Sequence, residues 1–174
     1  MDDLGPGRGQ RAGGSRRRRA RRRRAPPSRP RGLEAVRLNQ PVDVVWTRIT
    51  AYPEGPTWRR GLTSVERLPD HEGREVWREV SGDAIDFETT LLEPPHRLVR
   101  RIADDRSDFG GEWEYELASD AGGTVVTITE RGEVYNPLFR FVSRFILGQT
   151  RTIDGYLTDL AASFGEAAAI EDGS

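Results

Sequence analysis

The sequence predicts an α+β domain in which a long C-terminal helix covers one face of an antiparallel sheet. Six short segments with strand-like composition follow one another and are separated by turn-forming residues. The clearest of them alternates acidic with apolar residues, which is typical of a strand with one buried face. Further along, apolar residues recur at helical spacing over residues 137–164. A helix of that length could lie across the whole sheet.

The first strand is predicted before the six consecutive ones and is separated from them. The predicted strands are 34–38, 62–68, 74–81, 84–92, 97–103, 111–118 and 124–134. In the strand 111–118, three side chains are expected to face water (Glu112, Glu114, Glu116) and three to face the interior (Trp113, Tyr115, Leu117). Short connections between successive strands favour an antiparallel meander.

A short amphipathic helix is predicted after the first strand. Pro41 suits a first helical turn, and the apolar residues that follow share one helical face: Val42, Val45, Trp46 and Ile49. Residues 52–58 contain two prolines and a glycine, so the chain bends there, with a second helical turn as an open alternative.

The long helix is predicted to begin at Asn136 and Pro137, a capping residue followed by a first-turn proline. Its apolar stripe has steps of three and four residues, or multiples of them: Leu138, Val142, Phe145, Ile153, Tyr156, Leu160 and Phe164. Gly165 is expected to end the helix.

Charge divides the chain into a basic tail and an acidic domain. Residues 1–32 contain twelve Arg and two Asp, with almost nothing apolar to bury, so they are expected to be disordered. The remainder has fifteen Arg against twenty-six acidic residues. We expect one folded domain at 33–166 and a disordered C-terminal tail at 167–174.

The tail allows two interpretations. Arg16–Arg19 and Arg21–Arg24 could bind nucleic acid or another polyanion by counterion release. Alternatively, the absence of Lys indicates a GC-biased coding sequence, and the tail could then be a linker without function or translated upstream sequence. No Cys is present, which excludes disulfides and thiolate metal sites, and no apolar run reaches membrane-spanning length. A cytoplasmic location is expected.

The order of elements and several local segments resemble the START-like superfamily, also called SRPBCC, which includes polyketide cyclase/dehydrase-like proteins. The segments that carry the likeness are 41–46, 52–58, 110–117, 123–130 and 156–160, within residues 34–166. The resemblance implies a helix-grip fold, in which a curved antiparallel sheet of about seven strands surrounds the C-terminal helix. It also implies a cavity between sheet and helix for a small hydrophobic, lipid-like or polyketide-like molecule.

Strand alternation and this implied cavity select the candidate ligand-binding residues: Arg78, Phe87, Arg100, Trp113, Tyr115, Ile128, Glu130, Phe141 and Phe145. Each of the apolar ones could instead belong to a filled core. The alternative register of the strand 74–81 would turn Trp77 inward and leave Arg78 in water.

No catalytic residue is indicated by the sequence. His71 and His96 lie beside turn formers without ligand spacing, so we expect solvated loop residues and neither metal nor cofactor. The leading hypothesis is the binding or carriage of a small hydrophobic ligand. The alternative is an enzyme of the polyketide cyclase, dehydratase or aromatase type that uses the same cavity.

Overall fold

A computed structural model describes residues 32–103, 109–134 and 153–172. Its helical elements are α1 (Val42–Thr50), a 3-10 turn (Tyr52–Thr57) and α2 (Ile153–Ser163). Its strands are β1 (Gly32–Leu38), β2 (Ser64–His71), β3 (Arg74–Ser81), β4 (Asp83–Glu93), β5 (Arg97–Ile102), β6 (Phe109–Asp120), β7 (Gly123–Val134) and β8 (Ile170–Asp172). The predicted α+β class is therefore confirmed, with one strand more than expected.

All eight strands form one antiparallel sheet in the order β2-β3-β4-β5-β6-β7-β1-β8. The register shifts between Leu68 and His71 and again between Thr89 and Leu91. Such irregularities bend a strand and increase its twist, which helps the sheet to curve. Where β7 begins beside the end of β1, only glycine fits, because a Cβ on Gly123 would lie 2.2 Å from the Leu38 carbonyl oxygen.

In the described part of the chain, the core lies between the inner face of the sheet and the helices α1 and α2. The buried apolar residues of α1 are Val45, Trp46 and Ile49, and α2 contributes residues such as Leu157 and Leu160. They pack with buried side chains of β1, β5, β6 and β7: Val36, Leu38, Leu98, Tyr115, Leu117, Val126 and Ile128. Among the three described segments, no helix is long and apolar enough to cross a membrane.

The end of α2 agrees with the predicted stop. Its last residue is Ser163, and Gly165 follows with a φ of 74°, a left-handed conformation that glycine adopts without steric cost. The part of the predicted long helix at 137–152 lies outside the described residues.

Two carboxylates tie this end of the chain to distant loops. Asp159 accepts hydrogen bonds from the backbone N–H of Arg60 at 2.8 Å and from its Nε at 2.5 Å. Glu166 accepts from the backbone N–H of Asn39, from Asn39 Nδ2 and from Gln40 Nε2, at 2.8, 3.1 and 3.0 Å. These bonds fix α2 against the 3-10 turn and against the entrance to α1.

The expectation of a disordered segment at 167–174 was wrong for β8. Glu34, Ala35 and Val36 of β1 pair with Asp172, Glu171 and Ile170. Ile170 also packs against the core, so an apolar contact and backbone pairing act together. Three residues are too few for alternation to reveal a strand in the sequence.

The outer face of the sheet carries ion pairs instead of freely solvated charges. Glu114 was expected in water but is buried, because Arg97 Nη2 and Arg131 Nη1 lie 2.5 and 2.7 Å from its carboxylate oxygens. Glu116 is exposed, as expected, and Glu112 is half-buried beside Arg131. The long arginine stems cover neighbouring carboxylates, which explains burial on a face that neither α1 nor α2 covers.

Candidate functional site

Cross-strand register brings most of the predicted site residues to one face of the sheet. Arg100, Trp113 and Glu130 stand opposite one another across β5, β6 and β7, and Leu98, Tyr115 and Ile128 form the next row. Tyr115 and Ile128 are buried, whereas Trp113 and Glu130 are half-buried. This face is the one toward α2, since Tyr156 of α2 contacts both Trp113 and Tyr115.

Arg78 lies on the opposite face, so its prediction as a pocket residue was wrong. Its Nε and Nη2 donate to the two carboxylate oxygens of Asp86, at 2.7 and 2.9 Å, near solvent. Trp77 takes the inner position instead, with its ring centroid 5.4 Å from that of Tyr52. The alternative register is therefore the one that forms, because it buries an indole and leaves a guanidinium partly hydrated.

Phe87 lies on the inner face opposite Trp77 and is half-buried. Its ring centroid is 4.9 Å from the guanidinium carbon of Arg100. Phe141 and Phe145, the two predicted helix contacts, lie outside the described residues. A role in ligand binding remains a prediction for all the candidates except Arg78.

An aromatic cluster surrounds Tyr156 of α2. Ring centroids of Trp58, Trp113 and Tyr115 lie 5.4, 5.8 and 5.7 Å from the Tyr156 centroid, at interplanar angles of 72°, 87° and 65°. These edge-to-face arrangements are favoured by the quadrupoles of the rings. The guanidinium of Arg59 lies 5.2 Å from the Tyr156 centroid, so the cluster has a cation at its side.

A buried carboxylate joins two guanidiniums beside this cluster. Glu79 Oε1 lies 2.5 Å from Arg100 Nη1, and Glu79 Oε2 lies 2.8 Å from Arg59 Nη1. The side chains of Glu79 and Arg100 are 6% and 7% exposed, and that of Arg59 is 22% exposed. We name these three residues the charge triad. It holds two positive charges and one negative charge, and it sits where an isolated ion would be costly.

Opposing effects set the protonation of the triad. Burial acts to raise the pKa of Glu79, but the charges of Arg100 and Arg59 and their hydrogen bonds outweigh it and lower the pKa to about 2. Burial acts to lower the pKa of Arg100, but Glu79 reverses the effect and raises it. Glu79 and Arg100 are therefore both ionised at neutral pH. Because guanidiniums keep their proton in proteins, the triad has a net positive charge.

Arg100 keeps part of its hydrogen-bonding capacity free. Its guanidinium carbon lies 4.3 Å from the Tyr52 ring centroid and 4.9 Å from that of Phe87. Only Nη1 donates to Glu79, while Nε and Nη2 are buried and have no hydrogen-bond partner among the described residues. The indole Nε1 of Trp58 is likewise buried without an acceptor in that part of the chain.

These elements border one small pocket. Its lining comes from α1, the 3-10 turn and its flanks, the sheet and α2: Ile49, Ala51, Tyr52, Gly55, Trp58, Arg59, Arg100, Tyr115 and Tyr156. The empty space is about 260 Å³ including the open mouth, and the interior has room for about one water molecule. Aromatic rings and two arginine side chains therefore border the pocket, a combination found in many small-molecule sites.

Sequence reasoning missed Arg59, Glu79, Tyr52 and Trp58 as site residues. Glu79 and Trp77 share a strand face, so the alternative register would have found the acidic partner of Arg100. Tyr156 was recognised only as part of the helical stripe. Arg59 had no signal of its own, because it follows an irregular turn where no periodicity applies.

The two histidines do not belong to the site. His71 Nδ1 lies 3.2 Å from Glu88 Oε2 and His96 Nδ1 lies 3.1 Å from the Leu117 carbonyl oxygen. Within residues 32–103, 109–134 and 153–172, no group of three or more His, Asp or Glu side chains is arranged to hold a metal ion.

An antiparallel sheet that curves over a C-terminal helix, with a pocket between them, defines the helix-grip class of proteins. The family described as polyketide cyclase/dehydrase and lipid transport matches residues 32–165, and the chain belongs to that family. A comparison with curated proteins found no match.

Solved structures of the same fold come from several bacteria. A conserved protein from Geobacillus kaustophilus is 16% identical, with a TM-score of 0.59 over 80% of this chain and 98% of its own. A protein from Thermus thermophilus, TTHA0849, is 17% identical, with a TM-score of 0.58 over 74% and 92%. The Zhui aromatase/cyclase from a Streptomyces species is 15% identical, with a TM-score of 0.56 over 78% and 93%. At these identities the similarity concerns the fold.

Proposed function

We propose that this protein binds or carries a small, mostly apolar molecule in the pocket between the sheet and the C-terminal helix. The observation that carries the proposal is a pocket with aromatic walls and a buried guanidinium, two of whose nitrogens lack acceptors in the described part of the chain. A filled apolar core would not need directed donors, whereas a ligand site uses a few of them to orient its occupant. Membership in a family associated with lipid transport is consistent with this function.

The ionisable groups in the pocket and beside it favour binding over acid-base catalysis. Burial raises the pKa values of Tyr52 and Tyr115, the latter to about 12, and raises that of Tyr156 well above its usual value. These phenols stay protonated at neutral pH, and Glu79, with a pKa of about 2, is a weak base. A cyclase, dehydratase or aromatase activity remains the alternative, supported by the likeness of the fold to an aromatase/cyclase. Conversion of a poly-β-ketone substrate by the purified protein would favour it.

Partial filling of the pocket tests the proposal. Ala51 lines the pocket, so Ala51→Leu should weaken the binding of a neutral, environment-sensitive apolar dye at least about tenfold, since the added side chain occupies the same space. Ala118 is exposed on β6, and Ala118→Leu serves as the matched control that should bind like the wild type. Dye titration, with tryptophan quenching as the second signal, measures the effect, and thermal melts verify folding. A wild-type protein without saturable dye binding would exclude the proposal.

A polyanion partner stays a prediction from the sequence alone. The arginine-rich residues on which it depends, 1–31, lie outside the described part of the chain.

A further inference from the structure

Two arginines of the same sheet use their guanidiniums differently. On the outer face, Arg78 holds the Asp86 carboxylate side-on, with Nε and Nη2 each donating to one oxygen at 2.7 and 2.9 Å. On the inner face, Arg100 offers the same pair of atoms, but both are buried and without a partner in the described chain. Arg100 thus has the same two N–H donors that Arg78 uses, but no carboxylate of the described residues is bound to them. We call this pair of donors the fork.

The free fork belongs to a rigidly held guanidinium. Nη1 is bound to Glu79 at 2.5 Å, and the rings of Tyr52 and Phe87 lie 4.3 and 4.9 Å from the guanidinium carbon. These contacts fix the plane of the group before any ligand arrives. A fixed planar fork suits an acceptor with two coplanar oxygens, which describes a carboxylate.

Charge favours the same ligand. Glu79 is the one carboxylate that the described structure pairs with Arg100, and it is shared with Arg59. Two guanidiniums against one carboxylate leave the charge triad with a net positive charge, and Arg59, which is 22% exposed, lies on its solvent side. An anion bound beside the triad would balance this charge.

We propose that the ligand of this pocket is a flat apolar carboxylate, whose carboxyl group binds side-on to Nε and Nη2 of Arg100. This inference rests on the proposed ligand-binding function and specifies its chemical class. The pocket interior has room for about one water molecule, so a ligand with an aromatic ring needs more space than the pocket offers without a ligand. The aromatic body of the ligand then displaces the half-buried side chains of Trp58 or Arg59, and the indole N–H of Trp58 can donate to a second polar group.

A pair of probes that differ only in charge tests the assignment. We expect 2-naphthoate to bind the wild-type protein at least about tenfold more tightly than 2-naphthamide, which has the same shape and no charge. Tryptophan fluorescence and calorimetry measure both affinities. The preference for naphthoate should persist in 1 M salt. At this ionic strength the screening length is about 3 Å, so exposed arginines attract the probe only weakly, whereas a buried guanidinium is screened much less.

Two matched variants test whether Arg100 is the residue that causes the preference for naphthoate. Arg100→Lys keeps the positive charge near Glu79 but removes the planar fork, so naphthoate should bind at least about tenfold more weakly than to the wild type, and its preference over naphthamide should fall severalfold. Arg78→Lys makes the same change on the outer face and should leave both affinities as in the wild type. If Arg100→Lys does not fold, the comparison of naphthoate with naphthamide on the wild-type protein, at low and at high salt, still tests whether a carboxylate binds away from the surface arginines.

The possible results separate the two proposals. Equal binding of naphthoate and naphthamide would overturn the carboxylate assignment and leave the proposed binding function standing. A preference of wild-type size in Arg100→Lys, or one that disappears in 1 M salt, would overturn the role of Arg100. Binding of neither probe, together with no binding of apolar dye, would overturn both.

Discussion

Glu79 connects the two arginines that give the pocket its charge. It is buried on the inner face of β3, with one oxygen directed to Arg100 and the other to Arg59. Without this carboxylate, two guanidiniums would lie close together in a poorly hydrated place. The residue therefore stabilises the fold and also limits the positive charge that a ligand encounters.

The pH dependence of stability should reveal this role. Because folding lowers the pKa of Glu79 from 4.5 to about 2, its contribution to stability is complete above pH 4.5 and is lost as the pH falls to 2. Glu79→Gln should lower the free energy of unfolding at pH 7 by on the order of 3 kcal/mol. The gap between variant and wild type should then shrink as the pH falls from 4.5 to about 2.

Denaturant unfolding at several pH values measures this gap. Glu116→Gln is the matched control, since Glu116 is exposed on β6, and it should track the wild type throughout. If the difference in unfolding free energy between Glu79→Gln and the wild type were as large at pH 2 as at pH 7, the loss of stability in acid could not be assigned to Glu79.

At the scale of single elements, β8 has an influence larger than its three residues suggest. It pairs with Glu34, Ala35 and Val36, and its Ile170 packs against the core. Without it, β1 would become an edge strand with free N–H and C=O groups. Exposed edges of this kind pair readily with other chains.

Removal of residues 167–174 should therefore cause self-association. The shortened chain keeps Glu166 and its hydrogen bonds to Asn39 and Gln40, so the change is confined to the edge. We expect dimers or larger species that increase with protein concentration, and a melting temperature lower by several degrees. Light scattering after size-exclusion chromatography measures the first effect. Deletion of residues 173–174 alone should have neither effect, and a monomeric shortened chain would refute the prediction.

For the whole molecule, the sequence predicted the fold better than the site. Alternation and turn residues placed the strands of the meander within a few residues, because their faces differ sharply in polarity. The site depends on facts that periodicity does not contain. The orientation of β3 decided between Arg78 and Trp77, and a one-residue difference reverses that face.

Long-range pairs explain the rest of what sequence reasoning could not find. Asp159 binds Arg60 and Glu166 binds Asn39 across about a hundred residues or more, and no local pattern connects such partners. Arg59 reaches Glu79 and Tyr156 from an irregular turn. In each case the contact results from the closed fold, not from the spacing of residues along the chain.

The sheet order also determines how the protein can be assembled during synthesis. Strands β2 to β7 pair with their sequence neighbours, so hairpins can close as the ribosome releases them. β1, although made first, waits for β7, because Leu38 pairs with Thr124 and Val36 with Val126.

On stalled ribosomes, nascent chains that end before β7 should leave α1, with its apolar residues Val45 and Trp46, open to protease. In nascent chains that extend past α2, α1 should be protected from cleavage. Protection of α1 in chains that end before β7 would contradict this order and would mean that α1 packs against another, transient partner.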